Sequence, residues 1–333
     1  MTLQQLRCFL EVVRQQLNIT AAARTIYLSQ SAVSRHIRTL EEELGVRLFS
    51  RTGNNLSQLT AEGEQLMGLA RTSVEAADKL RSAAADLRDP AIGTLAIGTT
   101  HTQARYVLPP VISRFVARYP RVKLCLHQGT PQQVAAMAVQ GEVDLVIATE
   151  AIEEHDELLS LPCYRWEHCI LVRCDHPMME QRDLSLEALS RNPLVTYTQG
   201  FTGRSHLDEA FARHGLQPNI VFSASDSDVI KTYVRQGVGI GIIAAMAYDP
   251  LADDDLCAFE AGHLFPSSMT RLGLRRDGFL RRYGYDFIEM FAPHLTCERI
   301  ERVALHKERR AIDDCFAPVP VFQSHCKPPH TSS

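Results

Sequence analysis

The stretch TAAARTIYLSQSAVSRHIRTLEEELGVRLFSR, residues 20–51, decides the fold of the N-terminal region. It opens with Thr20, which is suited to cap a short helix. Ser29 or Ser31 can cap a second helix, and Gly45 is a natural stop because glycine readily adopts the left-handed conformation. The buried stripe of this second helix is predicted to consist of Val33, Ile37, Leu40 and Leu44. Two short helices in this order predict a helix-turn-helix.

The residues on either side extend this unit. Apolar side chains at helical spacing predict a first helix over 3–13. After Gly45 come an apolar strand, a turn rich in Gly and Asn, and a second strand that ends at Leu59. We therefore interpret residues 1–59 as a winged helix-turn-helix DNA-binding domain.

A recognition helix in the major groove must offer side chains that pair with base edges. The candidate DNA-binding residues are Gln30, Ser31, Ser34, Arg35, Arg38, Arg51 and Asn54. Arg35 and Arg38 can reach guanine or phosphate, whereas Arg51 and Asn54 of the wing are suited to the backbone or minor groove. The alternative is that these are ordinary solvated side chains. Residues 41–43, all Glu, are expected to be the exposed end of the helix.

The charge distribution agrees with a nucleic-acid partner for the first domain. Residues 1–60 carry seven Arg and four Glu, a balance of +3, although the whole chain is −4. Charged residues interrupt the N-terminal segment, so it does not have the pattern of a signal peptide. The apolar run 238–247 is too short to span a bilayer. We expect a cytoplasmic protein with no membrane partner.

Residues 60–90 are predicted to form one long linker helix that ends at Asp89-Pro90. Positions seven apart form a seam of Leu59, Leu66, Ser73, Leu80 and Leu87, with Leu69, Ala76 and Ala83 between them. We interpret the seam as a dimerisation surface, because a protein that reads DNA half-sites needs two-fold symmetry. The alternative is a helix packed on its own domain.

From residue 91 the pattern changes to strands that alternate with amphipathic helices. This rhythm predicts an α/β fold with mainly parallel sheets. About two hundred residues are enough for two lobes, which we place at about 91–162 with 268–300, and about 163–267, within a domain spanning 91–305. Several prolines follow His306, so residues 306–333 are expected to be a poorly ordered tail.

Cysteines and catalytic motifs indicate neither a metal site nor an enzyme. The nine cysteines are odd in number and include no C-x-x-C, which argues against a disulfide framework or a zinc ribbon. Cys163, Cys169 and Cys174 are expected to be buried, reduced thiols. The sequence has no H-E-x-x-H, G-x-S-x-G or P-loop motif. A periplasmic binding protein, the other two-lobed candidate, would need an export signal and would not carry residues 1–60.

Residues 20–51 resemble the DNA-binding signature of LysR-type transcriptional regulators. One departure is Ser31, where that family usually has Pro, but Ser can also begin a helix. The effector region resembles the CysB subgroup of this family, in the stretches 99–106, 148–151, 200–205 and 228–235. The similarity runs from residue 1 to about residue 300.

The resemblance implies two Rossmann-like lobes, as in periplasmic binding proteins, with an effector cleft between them. It implies effector contacts from Thr100, Thr102, Gln103, Thr149 and Thr202. The implied effectors are sulfate, thiosulfate, N-acetylserine or O-acetylserine, and no other cofactor and no metal is expected. Trp166 could wall the cleft or belong to the core.

The resemblance also implies a role and a set of partners. The expected role is control of sulfur-assimilation and cysteine-biosynthesis genes, as a homodimer or homotetramer on promoter dyad sites in contact with RNA polymerase. A related regulator of sulfonate utilisation, with a different sulfur-containing effector, is the alternative.

Overall fold

A computed structural model describes residues 1–53, 55–180, 184–306 and 308–326. The chain divides into two compact units, Met1–Arg88 and Asp89–Ser333. The elements of the first unit are α1 (Leu3–Arg14), α2 (Ile19–Thr25), α3 (Gln30–Leu44), β1 (Phe49–Thr52), β2 (Asn55–Leu59) and α4 (Ala61–Arg88). This is the predicted winged helix-turn-helix, followed by the long helix.

Local capping sets the ends of the two short helices. Ser29 caps α3, as predicted, and Gly45 ends it with a φ of 71°. The cap of α2 is Asn18 rather than Thr20, because the Asn18 side chain accepts a hydrogen bond from the Ala21 main-chain N–H at 3.0 Å. Leu44, predicted to be buried, is exposed in the last turn of α3. The core of the unit is formed by side chains from α1, α2, α3 and β1, among them Phe9, Ala22, Ile37 and Phe49.

The long helix α4 has two different faces. In its first half, Leu66 and Val74 pack against the core of the first unit. This part of the helix therefore packs on its own domain, which was the alternative to a dimerisation surface. Leu69, Leu80 and Leu87 of the predicted seam are exposed, Leu87 by 92%. In the described part of the chain, no helix combines the length and apolar character needed to cross a membrane.

The second unit contains two five-stranded sheets, each flanked by helices. The strands are β3 (Gly93–Thr99), β4 (Val122–Gln128), β5 (Leu145–Ala148), β6 (Leu158–Trp166), β7 (His168–Arg173), β8 (Leu194–Tyr197), β9 (Ile220–Ala224), β10 (Ile240–Ala244), β11 (Leu256–Glu260) and β12 (Ser268–Arg275). The helices are α5 (Leu108–Arg118), α6 (Pro131–Val139), α7 (Leu186–Ser190), α8 (Thr202–Arg213), α9 (Ser227–Arg235), α10 (Arg282–Phe291), α11 (Cys297–Val303) and α12 (Arg309–Phe316).

Each sheet is mixed rather than mainly parallel. The strand orders are β4-β3-β5-β12-β6 and β11-β7-β10-β8-β9. Strands β3, β4 and β5 are parallel, as are β8, β9 and β10, whereas β12 and β7 run antiparallel to both of their neighbours. The antiparallel strands occur where the chain passes between the lobes, since a strand that returns from the other lobe enters its sheet in the opposite direction.

The strand order takes the chain between the lobes twice, from β6 to β7 and from β11 to β12, and the segment after α12 reaches the second lobe once more, where Cys326 is buried. The predicted start of the second lobe at residue 163 is therefore a few residues early, because residues 163–166 pair with β12 in the first sheet. The second lobe runs from His168 to about Phe265, since Ala261 and Phe265 pack in its core, close to the predicted end at 267.

The expectation of a disordered tail is wrong for residues 308–326. Helix α12 buries Ile312 and Phe316 in the core of the first lobe. Asp313 makes a bidentate ion pair with the buried Arg271, at 2.9 and 2.7 Å. The proline content of the segment misled the prediction, because it carries no information about these distant partners.

The expectation of reduced cysteines is wrong for Cys174, which forms a disulfide with Cys257. The bond joins the end of β7 to the neighbouring strand β11, whose pairing brings the two residues together. Cys163 and Cys169 are buried and free, as predicted.

His168 is a buried residue at the first crossing. One ring nitrogen, Nε2, lies 3.1 Å from the carbonyl oxygen of Gly203, and the ring packs against Trp166 and Phe265. Burial, with the nearby His206 as a smaller cause, lowers the pKa of His168 to about 4. The imidazole is therefore neutral in the folded protein at pH 7.

This lowered pKa predicts a loss of stability in acid. The unfolded chain takes up a proton near pH 6.5 and the folded chain only near pH 4, so the free energy of unfolding should fall by about 3 kcal/mol between these values. Urea unfolding at several pH values, compared with His168→Gln, measures this contribution. A wild-type minus variant difference that stays constant from pH 7 to pH 4.5 would contradict it.

Burial of Phe316 predicts that α12 contributes to the stability of the second unit. Phe316→Ala should lower the free energy of unfolding by about 3–5 kcal/mol, because it leaves a cavity in the core. Leu305→Ala is the control, since Leu305 is 88% exposed and should change stability by less than about 0.5 kcal/mol. Equal effects of the two changes in denaturant unfolding would show that α12 is not part of the core.

Candidate functional site

Helix α3 presents one face to the core and the opposite face to solvent. The Ser29 hydroxyl accepts a hydrogen bond from the Ala32 main-chain N–H at 3.2 Å and fixes the start of the helix. The inner face consists of Val33, Ile37 and Leu40. The outer face exposes Gln30, Ser31, Arg35 and Arg38, whereas Ser34 is half-buried. Four of the predicted DNA-binding side chains thus share one accessible surface.

The two arginines of this surface differ in their partners. Arg38 Nε donates to Glu42 Oε1 at 2.9 Å, one helical turn later. Among the described residues, no carboxylate pairs with Arg35. Arg35 can therefore bind a base or a phosphate without first losing an ion pair, whereas Arg38 would have to give up its contact with Glu42.

Glu41 positions the wing and a predicted DNA-binding side chain, a role that the sequence analysis missed. It is 5% exposed and not, as expected, part of a solvated helix end. Its Oε1 accepts hydrogen bonds from the main-chain N–H groups of Leu48 and Phe49, at 2.9 and 3.2 Å. Its Oε2 pairs with Arg51 at 3.3 Å. This carboxylate joins the wing to the recognition helix and holds Arg51 beside it.

Two predicted contact residues fall outside what the structure describes. Asn54 of the wing is not among the described residues, and neither is the side chain of Thr202, although its backbone begins α8. Their contacts stay predictions.

A small cavity lies between the two lobes of the second unit, with about 40 Å³ open to the centre of a water-sized sphere. The first lobe contributes Thr100, Thr102, Gln103, Pro131 and Thr149; the second contributes Tyr197, Phe201, Gly203, Ala244 and Met246; and Trp166 stands at the crossing. The structure therefore brings together four of the five predicted effector residues. Trp166, whose place the sequence left open, both lines the cavity and packs in the core.

Parallel strand ends position the cavity threonines. Thr100 comes directly after β3, and Thr149 directly after β5. The ends of adjacent parallel strands meet at one edge of a sheet, which is where α/β folds bind their ligands. Thr102 Oγ1 lies 3.4 Å from Ser227 Oγ of the second lobe. The hydroxyl groups thus collect at the boundary between the lobes.

Gln103 supports the cavity from behind. Its Nε2 donates to Thr270 Oγ1 at 3.2 Å, and its Oε1 accepts a hydrogen bond from the Tyr164 hydroxyl. The amide group is therefore already committed to the protein. The predicted contact between this amide and an effector would require these bonds to break.

The cavity offers hydrogen-bond donors but no positive side chain. Among its described lining residues, none is Lys, Arg or His. The indole Nε1 of Trp166 is buried and has no hydrogen-bond partner within the described part of the chain. A buried donor without a partner lowers the folding stability by about 1–3 kcal/mol, and a ligand atom that accepts a hydrogen bond from it removes this penalty. The cavity is suited to a small anion held by hydroxyl and N–H groups.

Two contacts between polar and charged side chains join the two lobes beside the cavity. His101 Nε2 lies 3.0 Å from Asp226 Oδ2, and Arg105 Nε lies 3.2 Å from Asp228 Oδ2. Burial alone would raise the pKa of Asp228, but the hydrogen bond from Tyr106 and the charges of Lys231 and Arg105 lower it. His101, Asp226 and Asp228 are close enough to share a metal ion, yet the two cations already balance Asp228. We therefore interpret the cluster as an ion-pair group.

Comparison with known proteins places both units in one family. Residues 3–64 match the profile of the bacterial regulatory helix-turn-helix protein, lysR family, and residues 88–296 match the LysR substrate binding domain. A solved structure, the cofactor-binding domain of the Cbl transcriptional regulator, superposes with a TM-score of 0.62 at 45% identity. It covers 65% of this chain and 94% of that one.

Two curated relatives span nearly the whole chain. The transcriptional regulator SsuR of Burkholderia cenocepacia is 49% identical over 296 residues, which are 89% of this chain and 96% of that protein. The regulator CysB of Haemophilus influenzae is 45% identical over 316 residues, which are 95% and 98% of the two chains. With its DNA-reading helix and its interlobe cavity both inside these matches, the chain belongs to the LysR family of transcriptional regulators and to no class of enzyme.

Proposed function

We propose that this regulator controls genes of sulfur assimilation and cysteine biosynthesis in response to a small anion bound between its lobes. The hydroxyl-lined interlobe cavity is the observation that carries the proposal. The similarity to regulators named CysB, Cbl and SsuR supports the sulfur assignment.

The proposed effectors are sulfate, thiosulfate, N-acetylserine or O-acetylserine. A buried water needs roughly 10–15 Å³ of volume that the centre of a water-sized sphere can occupy. The cavity has about 40 Å³ of this volume, so it is closer in size to sulfate or thiosulfate than to an acetylated amino acid. The larger effectors would require the lobes to separate. Thr100, Thr102, Thr149 and Thr202 are the proposed hydroxyl contacts, and Trp166 Nε1 is an added donor.

A second candidate is a regulator of sulfonate utilisation. The wall of the cavity across from Thr100, Thr102 and Thr149 is largely apolar and includes Phe201, Ala244 and Met246. A sulfonate presents three oxygens to the hydroxyl groups and one carbon substituent to such a wall. Titration with a short alkanesulfonate alongside sulfate separates the two candidates.

The proposed DNA complex uses a symmetric assembly. The exposed leucines of α4 form an apolar stripe that a second copy of the chain can cover. A homodimer places two α3 helices on two half-sites of a promoter dyad, and a homotetramer is a pair of such dimers. We propose that the effector changes the lobe arrangement and, through it, the contact of the assembly with RNA polymerase.

The ion pairs between the lobes supply a mechanism for this response. An effector shifts a conformational equilibrium only by its difference in affinity for the two states. Thr102 and Gln103 lie in the same turn as His101 and Arg105, whose partners belong to the second lobe. Binding at the threonines therefore favours one arrangement of the lobes, and with it one pattern of these contacts, over another.

For DNA binding, Arg35→Ala should weaken binding to a specific promoter site by about 1–3 kcal/mol, because a contact to a base edge or phosphate is lost. Fluorescence anisotropy with a labelled promoter fragment and with an unrelated duplex measures the effect. The matched control is Arg71→Ala, which removes the same charge from α4 outside the recognition helix. If both variants bind the promoter fragment like wild type, Arg35 is not part of the reading surface.

For effector binding, Thr100→Val should weaken sulfate binding by about 1.5–3 kcal/mol, because it removes a hydrogen bond to a charged ligand while keeping the side-chain shape. Calorimetric titration with sulfate, thiosulfate and N-acetylserine is the measurement. Thr94→Val is the control, since Thr94 is exposed at the other end of the same strand. Equal affinity in the two variants would move the site elsewhere, and no binding by wild type would remove the anionic effector.

A further inference from the structure

The end of the described chain crosses the boundary between the lobes. We call residues 317–326, which follow α12, the C-terminal strap. Its side chains alternate: Phe322, Ser324 and Cys326 are inward, whereas Val321 is 62% exposed. This alternation is that of an extended strand with one face covered.

The strap is attached to the first lobe along the free edge of β6. The Arg165 main-chain N–H donates to the carbonyl of Pro320 at 2.8 Å, and the Phe322 N–H donates to the carbonyl of Arg165 at 2.7 Å. Strand β6 is at the end of its sheet, with β12 on its other side. The strap therefore extends the sheet beside the first interlobe crossing.

The far end of the strap reaches the second lobe. Ser324 Oγ lies 3.5 Å from Glu260 Oε1, at the end of β11. Cys326 is buried in the core of that lobe together with Cys169. Its hydrogen bond with the Cys169 thiol, together with burial, raises the pKa of Cys169 well above its ordinary value. The strap is thus held on both sides of the crossing at Trp166–His168.

A chain of contacts leads from the strap to the effector cavity. The ring of Phe322 packs on Tyr164, with 5.7 Å between their centroids. The Tyr164 hydroxyl donates to Gln103 Oε1, and Gln103 lines the cavity. Trp166, two residues further along β6, lines the effector cavity and also a space of about 330 Å³ beneath the strap.

Helix α12, which precedes the strap, supports the same region by a second route. Asp313 holds the buried Arg271, and Arg271 also pairs with Glu153 in the turn that follows Thr149. Thr270, the neighbour of Arg271, accepts the hydrogen bond from Gln103. Through Arg271, α12 thus supports two parts of the cavity wall. One is the turn after Thr149, which contains Glu153, and the other is Gln103, which bonds to Thr270.

We propose that the C-terminal strap positions the effector cavity, with Phe322 as a positioning residue that acts through Tyr164 on Gln103. The proposal rests on the effector site proposed above. Phe322 is not among the described residues that line the cavity. Its effect on an anion therefore passes through its neighbours, and the route we propose is the Tyr164–Gln103 hydrogen bond, with Trp166 as a second wall residue beside the strap. Because Phe322 is only half-buried, its loss should affect this alignment more than the stability of the fold.

The test compares Phe322→Ala with Val321→Ala, the neighbouring exposed position on the same strap. Trp166 is the single tryptophan of the chain, so its fluorescence reports directly on the cavity during titration of the full-length protein with sulfate. We expect Phe322→Ala to bind sulfate severalfold more weakly and Val321→Ala to bind like wild type. Phe322→Tyr, which keeps the ring, should restore the affinity.

Two further readouts separate positioning from general destabilisation. Melting temperature and affinity for promoter DNA should change much less than sulfate affinity in Phe322→Ala, since Phe322 is half-buried and belongs to the second unit rather than to the DNA-binding unit. If Phe322→Ala melts early, Phe322→Leu takes its place in the comparison, because it keeps most of the apolar contact but lacks the ring.

Each result has a separate meaning. If Phe322→Ala, or Phe322→Leu in its place, binds sulfate like wild type, or if Val321→Ala is weakened equally, the strap is not a positioning element and the proposed effector site stands. If wild type binds none of sulfate, thiosulfate and N-acetylserine, the effector site and the role of the strap both fall. Promoter binding then still tests whether the protein is a DNA-binding regulator.

Discussion

The double crossing of the chain between its two sheets is the constraint on which the effector cavity depends. The backbone passes from one lobe to the other at Trp166–His168 and returns before Ser268. Neither lobe can complete the cavity alone, because Thr100, Thr102 and Thr149 come from the first lobe whereas Tyr197, Phe201 and Met246 come from the second. Any movement at the crossings changes the distance between these two sides, so ligand affinity and lobe arrangement are linked by geometry.

Placing hydroxyl groups at strand ends gives this cavity a different character from a site built on cations. A Lys or Arg in the cavity would attract anions at long range but would need a partner of its own when the site is empty. Threonine hydroxyls remain neutral and can bond to water or to protein groups between binding events. The charged residues lie instead beside the cavity, where pairs such as Arg105 with Asp228 join the lobes.

The sequence predicts features that are encoded by near neighbours. Ser29, Gly45 and the Val33–Ile37–Leu40 stripe define α3 locally, and the structure agrees. The resemblance to LysR-type regulators implied the effector threonines, and Thr100 and Thr149 lie together in the structure because they follow adjacent parallel strands. Glu41 has partners seven and eight residues away, yet it was missed because a run of three glutamates has the composition of a solvated helix end.

Other features depend on partners far along the chain. Tyr164 is 61 residues from Gln103 and Thr270 is 167 residues away, so the commitment of the Gln103 amide could not be predicted from sequence. The same holds for α12, because Asp313 pairs with Arg271, 42 residues away, and Phe316 packs in the core of the first lobe.

The position of the strap also has a consequence for self-association. A sheet edge with unpaired main-chain groups is a template on which a strand from another molecule can add. The first sheet ends in β4 and β6, and the strap occupies part of the β6 edge with a segment of the same chain. Strand addition between molecules through this sheet is thereby directed to β4. Loss of residues 317–326 would free the β6 edge and open a second route toward aggregation.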